Sequence, residues 1–257
     1  PGIFVLNDKN EKVPIVNKSG KFVDEIIDFA GLEVKKFSES DGLTTDEKIS
    51  IKLKKENKAF DVQKYEHSYP HCWRTDKPIL YYPLESWFIN TTKLKGELIK
   101  KNEDINWQPP STGTGRFGNW LENLVDWNLS RSRFWGTPLP IWRTKDGKEE
   151  TCVGSIDQLR SEVKKAFDNG IMDKNLSSDI DLHRPFVDDI ILSSDKGKPM
   201  YREKDIIDVW YDSGSMPFAQ YHYPFENTDV FEKMFPAKFI AEGVDQTRGW
   251  FFTLHSI

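Results

Sequence analysis

The stretch between residues 138 and 167 constrains the fold most. PLPIWRTKDGKEETCV reads as a β-hairpin turning at Asp146-Gly147, and the chain then runs straight into an amphipathic helix. That helix opens with Ser155-Ile156-Asp157-Gln158, which has capping-box form, and it carries Leu159, Val163 and Phe167 along one face. A hairpin followed at once by a capped helix excludes an all-α or an all-β chain. Short strands interleaved with helices predict α/β or α+β.

The rest of the chain fits that pattern. IFVL and VPIV resemble short strands separated by the turn-rich Asn7-Asp8-Lys9-Asn10. Thr44-Thr45-Asp46-Glu47 again has capping-box form, with Ile49 and Leu53 following at helical spacing. Between 66 and 90 the composition turns aromatic and proline-rich, which marks a change of module. A helix is expected from Thr91 to Lys101, with Leu94, Leu98 and Ile99 on one side, and another capped by Asn119. Gly136-Thr137-Pro138 and Asp195-Lys196-Gly197 read as breaks. Lys238-Phe239-Ile240-Ala241 reads as a buried strand, and Asp245 as the start of a helix.

The chain has 257 residues, enough for one large or two smaller domains, and 37% are hydrophobic, enough to build cores. The net charge of −5 predicts no general affinity for nucleic acid, so any such contact must be local. Cys72 and Cys152 lie far apart and form no CxxC pair, which fits a reduced, cytoplasmic chain better than a disulfide scaffold. No apolar run approaches the ~18–20 residues needed to span a bilayer, so no membrane is expected among its partners. The first residues lack a starting Met and a signal-peptide pattern, and the last run, WFFTLHSI, stops in what reads as a helix. Both ends read as cuts through a longer protein.

Four segments could carry chemistry. At 238–251 a strand, then Glu242-Gly243, then a helix from Asp245 is the arrangement at which open α/β sheets bind nucleotides. Gly243 would let backbone approach a ligand, and Glu242 and Asp245 could accept hydrogen bonds from ribose hydroxyls. Trp250 could present a flat wall to an aliphatic substrate. The plainer reading makes the carboxylates helix-dipole partners and Trp250 a core ring. At 208–227, Asp212-Ser213-Gly214-Ser215 reads as a turn holding Trp210 and Tyr211 at a strand end, in a pocket or in a core. At 116–142, Arg116, Arg131, Arg133 and nearby Arg143 mix with Trp120, Trp127, Phe134, Trp135 and Trp142. That mixture suits RNA contacts, and equally salt bridges over an aromatic core. At 67–79, His67, His71 and Cys72 suggest zinc, but position 75 is Thr75 and no fourth ligand follows, so a packed turn around Trp73 is expected and no metal. GxSxG, P-loop and HExxH patterns are missing, and His183 and His222 read as surface or structural residues.

In order, PHCWRTDKPI, DWNLSRSRFWGTPLPIW, DVWYDSGSMPFAQYHYPFEN and AEGVDQTRGWF resemble the class I isoleucyl-tRNA synthetases, strongly over 66–257 and more weakly over 1–65. The Thr in DQTRGWF is similar to the group containing eukaryotic, archaeal and some bacterial enzymes. The resemblance implies part of a Rossmann catalytic domain plus the distal end of its β-rich editing insertion. Residues 1–65 would belong to the editing domain. Residues 66–236 would return into the catalytic body, and 237–257 would open the second Rossmann half. It implies an internal piece of a ligase that uses ATP, with Mg2+, to join L-isoleucine to tRNA(Ile), with hydrolytic editing of valine, as a cytoplasmic monomer.

By position, Glu242, Gly243, Asp245 and Gln246 are similar to residues that hold the adenylate, and Trp210 and Trp250 to the two tryptophans flanking the isoleucine side chain. The HIGH-type and KMSKS-type motifs of the family have no counterpart in the chain, nor has its editing strip, so this piece alone is expected to be inactive. CWRT in place of CWRC argues against zinc. The competing reading is a non-catalytic paralogue, or a tRNA-binding or editing module.

Overall fold

The computed structural model describes residues 2–35, 42–177 and 179–257. They divide into two compact units, Pro1–Glu85 and Ser86–Ile257. In the first, β1 (Phe4–Leu6) pairs antiparallel with β2 (Lys12–Pro14) across the expected Asn7–Asn10 turn. Asn7 builds that turn: its side-chain oxygen accepts from the Lys9 and Glu11 amides at 3.0 and 2.9 Å. Helix α1 (Thr45–Lys55) opens with the expected capping box: Glu47 N donates to Thr44 Oγ1 at 3.2 Å, and Thr44 N to the Glu47 carboxylate at 2.7 Å. The buried Thr45 hydroxyl donates to the Glu33 carbonyl at 2.6 Å and ties the helix to the preceding loop.

The second unit has a helical part and a sheet part. β3 (Phe88–Ile89) pairs with β4 (Trp127–Asn128). A 3-10 turn, Thr91–Leu94, leads into α2 (Lys95–Glu103), so the expected 91–101 helix is present with a tighter first turn. The helix expected to start at Asn119 starts earlier. A wide turn at Thr112–Phe117 runs directly into α3 (Gly118–Glu122), which places Asn119 inside the helix. Gly113 lies in this turn against the Trp107 ring, where a Cβ would stand 2.1 Å from it. Leu98, Phe117, Leu121, Leu124 and Phe252 form this core. His255 closes it, its Nε2 donating to the Leu98 carbonyl at 2.8 Å, and burial holds the imidazole below its ordinary pKa.

The sheet part contains the hairpin that the sequence marks: β6 (Ile141–Thr144) and β7 (Glu150–Cys152), preceded by β5 (Ser130–Arg131). Asp146 shapes the hairpin turn; its Oδ1 accepts from the Thr144 hydroxyl and the Lys148 amide at 2.6 and 3.2 Å. These contacts and Lys198 hold its carboxyl far below the usual range. Helix α4 (Ile156–Asp168) follows, then β8 (Ile191–Ser193) and β9 (Pro199–Arg202), joined through the expected Asp195–Gly197 turn. The order β7-β6-β9-β8 is antiparallel throughout. Together these elements give the mixed α/β composition that the sequence predicts.

The buried face of α4 is Leu159, Val163 and Ala166, with Phe167 exposed at the edge. Ala166 is seven residues beyond Leu159, about 20° off the same line, whereas Phe167 is about 80° off. At the Ser155 cap the Gln158 amide donates to Ser155 Oγ at 3.1 Å, but the reciprocal bond reaches back to Gly154 N at 2.8 Å. Trp142 is fully buried and its indole donates to the Ile190 carbonyl at 2.8 Å.

An ion cluster built around the buried Arg202 fastens this sheet. The Arg202 side chain is 1% exposed. It donates through Nε at 2.7 Å and through Nη2 to Asp188 Oδ1, and through Nη1 to the Leu139 and Asp205 carbonyls. Arg184 Nε takes the other Asp188 oxygen at 2.8 Å. The last strand, β10 (Ile206–Ile207), pairs with β5, and α5 (Val209–Gly214), α6 (Met216–Ala219), α7 (Thr228–Met234) and α8 (Trp250–Ser256) complete the unit.

Two expectations fail here. Lys238-Phe239-Ile240-Ala241 is neither a strand nor buried; Phe239 is 82% exposed. A strand needs a neighbour for its amides and carbonyls, and among the described residues none pairs with 238–241. Asp212-Ser213-Gly214 is the body of α5 and not a turn, because Asp208 caps that helix by accepting from Trp210 N at 3.3 Å. No helix among the described residues is long and apolar enough to cross a membrane.

Removing one member of a buried ion cluster strands the other. Asp188→Ala is expected to lower stability by about 3 kcal/mol in urea unfolding, because Arg202 keeps its charge with only carbonyl partners.

Candidate functional site

Asp208 begins the site. It is 4% exposed and accepts from Trp127 Nε1 at 3.1 Å and Arg131 Nη2 at 2.7 Å, while its own amide donates to the Leu129 carbonyl at 2.7 Å. Its other oxygen caps α5 at Trp210. One buried carboxylate therefore fixes where Trp210 leaves the end of β10. The Trp210 ring is 42% exposed, and one edge lies over Gly249, where a Cβ would sit 3.2 Å from it.

Gly249 carries the contact to the Trp210 ring. It precedes Trp250, the first residue of α8, and a Cβ there would also stand 2.8 Å from Gln246 Oε1. That Gln246 oxygen accepts from Trp250 N at 3.0 Å, so a side chain from the preceding 3-10 turn, Val244–Arg248, serves as the cap of α8. The Trp250 indole donates to the Ser213 carbonyl on α5 at 3.0 Å. At the other end of the same crossing, a Cβ on Gly214 would come within 2.8 Å of Thr253. Helices α5 and α8 thus touch nearly backbone to backbone, with one tryptophan contributed by each.

The connecting turn is held from beneath. Thr247 is fully buried; its hydroxyl donates to the Val244 carbonyl at 2.7 Å and accepts from Arg116 Nε at 3.0 Å. Arg248 lies over the Trp120 ring at 5.3 Å. With its inner face pinned, the turn shows Asp245 to solvent, and Asp245 Oδ2 accepts from Gln246 Nε2 at 3.1 Å. Gly243 sits against Asp245, where a Cβ would be 2.5 Å from Oδ1, and Glu242 stands exposed on the extended stretch before it. Near the base of Trp210, burial and the Asp208 carboxylate hold the Asp212 carboxyl above its ordinary pKa, against an opposing hydrogen bond from Thr137.

The structure therefore brings Trp210, Gln246 and Trp250 together around Gly249, sets Asp245 beside them, and leaves Gly243 and Glu242 on the adjoining segment. Sequence reasoning missed Asp208, Ser213 and Thr247 as the groups that fix this geometry. Asp208 had a usable signal, since Asp directly before a helical stretch is an N-cap pattern; Thr247 and Ser213 act through contacts that spacing does not reveal.

Three arginines read as possible RNA contacts are engaged within the fold. Arg116 meets Thr247, Arg131 meets Asp208, and Arg143 pairs with Glu150 and Glu203 over the Trp87 ring. His183 and His222 lie exposed beside Asp181 and Glu226. The turn at Cys72 forms, but Trp73 is 85% exposed with Arg74 over its ring, so it does not pack that turn.

The family model described as tRNA synthetases class I (I, L, M and V) matches residues 29–257. The chain is 61% identical to an isoleucine–tRNA ligase of Cytophaga hutchinsonii, over all of this chain and 24% of that protein. It is 49% identical to one of Bacteroides thetaiotaomicron, over all of this chain and 26% of that protein. A third, from Clostridium acetobutylicum, is 50% identical over 95% of this chain and 22% of its own length. The chain spans about a quarter of the length of the curated relatives it matches.

Two glycine substitutions separate close approach from helix propensity. Gly249→Ala is expected to cost about 1–3 kcal/mol in urea unfolding, by forcing Trp210 and Gln246 apart. Gly96→Ala, in α2 with open space around its Cβ position, is expected to be neutral or to stabilise by up to about 1 kcal/mol.

Proposed function

The chain belongs to the class I tRNA synthetases, and on that premise we propose that its protein is an isoleucine–tRNA ligase. L-isoleucine and ATP give isoleucyl-adenylate and pyrophosphate, and the isoleucyl group then passes to the 3′ end of tRNA(Ile). The observation that carries this reading is the close crossing of α5 and α8, where the Trp210 ring edge lies over Gly249 and the Trp250 indole is bound to the Ser213 carbonyl, beside a turn that presents Asp245 and Gln246.

Two flat apolar rings on a rigid crossing suit a branched aliphatic side chain, which has no polar group to satisfy. Glu242 and Asp245, acting as acceptors, suit the two ribose hydroxyls of the adenylate, and Gly243 allows the backbone close to it. Gln246 also orients Trp250 through its cap. The chain's contribution to the chemistry is positioning and fixed electrostatics, with no covalent enzyme intermediate. Magnesium would enter with the ATP phosphates. Among the described residues no three His, Cys, Asp or Glu side chains converge to hold a metal, so no step is assigned to it.

A pocket of this kind separates isoleucine from valine by one methylene. That difference yields only about 1–3 kcal/mol, and isoleucine against valine is the standard instance of the limit. Hydrolytic editing would supply the remainder. In this reading residues 1–65 belong to the editing insertion, 66–236 to the catalytic body and 237–257 to the start of the second Rossmann half. We further assign the protein to the cytoplasm as a monomer.

The reading is tested by amino-acid-dependent ATP–pyrophosphate exchange on the full-length protein. Isoleucine should be preferred over valine and leucine, and Trp250→Ala should raise the isoleucine KM by about tenfold or more while leaving tRNA affinity unchanged. A preference for valine or leucine, or an unchanged isoleucine KM in Trp250→Ala, would contradict it.

A further inference from the structure

The pairing of β5 with β10 brings Arg131 to the carboxylate that aims Trp210. The two strands run antiparallel, with Arg131 opposite Ile206 and Ser130 opposite Ile207. The Asp208 amide continues the register by donating to the Leu129 carbonyl at 2.7 Å. Arg131 is therefore a diagonal neighbour of Asp208 across the strands, a separation that a long side chain spans. Its Nη2 donates to Asp208 Oδ2 at 2.7 Å. Its Nη1 donates to the Asn128 and Ser130 carbonyls at 2.8 and 2.9 Å, which holds the guanidinium in place.

Two other donors reach the Asp208 carboxylate, and both are neutral: the Trp127 indole at 3.1 Å and the Trp210 amide at 3.3 Å. Arg131 is the cation paired with it among the described residues. The Asp208 side chain is 6% exposed, and a carboxylate so buried is costly without a countercharge. Arg131 thus stabilises the ionised acceptor at the end of β10, where Oδ1 reaches the Trp210 amide. The same carboxylate holds the Trp127 indole, whose ring lies 6.1 Å from Tyr211 of α5 and 6.1 Å from Phe252 of α8. One ion pair therefore bears on both helices that carry the pocket's tryptophans.

We propose that Arg131 is a positioning residue for the amino-acid site, acting through Asp208 to keep the Trp210 ring seated on Gly249. The proposal rests on the isoleucine reading for its substrate. Without the guanidinium, the carboxylate keeps only neutral donors and turns toward water. The Trp210 amide then loses its cap, the first turn of α5 frays, and the ring edge leaves Gly249. Glu242, Gly243 and Asp245 adjoin a turn held through Thr247 and Arg116, apart from this ion pair. The loss therefore falls on the amino acid and not on the nucleotide. Because the fault is an unbalanced charge, neutralising both partners repairs what neutralising one breaks. Asn caps a helix about as well as Asp, so the cap survives that repair.

The test is ATP–pyrophosphate exchange by the full-length protein, together with 1H–15N spectra of its tryptophan-labelled, ligand-free form. Arg131→Gln should raise the isoleucine KM by about tenfold and leave the ATP KM within about twofold of wild type. Arg131→Gln/Asp208→Asn should bring the isoleucine KM back to within about threefold. Arg160→Gln, which removes an arginine paired with Asp157 on α4, should leave both KM values unchanged. In the spectra, the Trp210 amide should shift in Arg131→Gln and return in the double variant. Should Arg131→Gln fold poorly, Arg131→Lys keeps the charge, gives up the forked geometry and should raise the isoleucine KM by about threefold. Equal rises of the two KM values, an unchanged isoleucine KM, or a double variant no better than the single one would overturn the positioning role. The ligand-free spectra separate this outcome from the substrate reading. If wild type prefers valine or leucine, a Trp210 amide that moves in Arg131→Gln still upholds the link from Arg131 to the ring, and one that stays in place overturns it.

Discussion

The close crossing of α5 and α8 is the constraint on which the candidate pocket depends. Two glycines permit it: Gly214, against Thr253, and Gly249, against the Trp210 ring. Any larger residue at either point would hold the helices apart, moving the Trp210 ring from its seat on Gly249 and straining the bond from the Trp250 indole to Ser213. Glycine is costly for chain entropy. Its use at both contact points puts the gain in packing and geometry, and not in local propensity.

Close approach alone would leave the rings free to turn, and the polar contacts remove that freedom. Asp208 fixes the start of α5 and is itself saturated by Trp127, Arg131 and the Trp210 amide. Gln246 fixes the start of α8, and the Trp250 indole is bound to Ser213. Beneath, Thr247 links the turn to Arg116. Each tryptophan is thus positioned by a side chain from outside its own helix. A site whose walls are set before the ligand arrives loses less entropy on binding. In the sheet part, the Arg202–Asp188–Arg184 cluster performs the same fastening where apolar contacts alone would allow sliding.

How far the sequence disclosed this depends on how local each signal is. The hairpin at Asp146-Gly147, helix α4 with its Ser155 cap, the α1 capping box and the Asp195–Gly197 turn are written in consecutive residues, and the structure contains all of them. The errors arise where a neighbour decides. Phe239 and Ile240 look like a strand by composition, but a strand is defined by its partner. Asp212-Ser213-Gly214 looks like a turn until Asp208 is seen to cap a helix there. Trp73 looks like core, yet it is exposed with Arg74 over its ring. In the candidate site, Trp210 and Trp250 stood out by type, while the groups that aim them were invisible because they lie on other elements.

The most direct test of the central claim is to follow the Trp210 and Trp250 indole N–H resonances of the full-length protein by 1H–15N correlation during titration with L-isoleucine. If the two rings form one preformed pocket across Gly249, both resonances shift together along a single binding curve, and the Trp250 indole proton stays protected by its bond to Ser213. Shifts confined to one ring, or saturation with isoleucine that moves neither, would show that these tryptophans are structural and that the amino acid binds elsewhere.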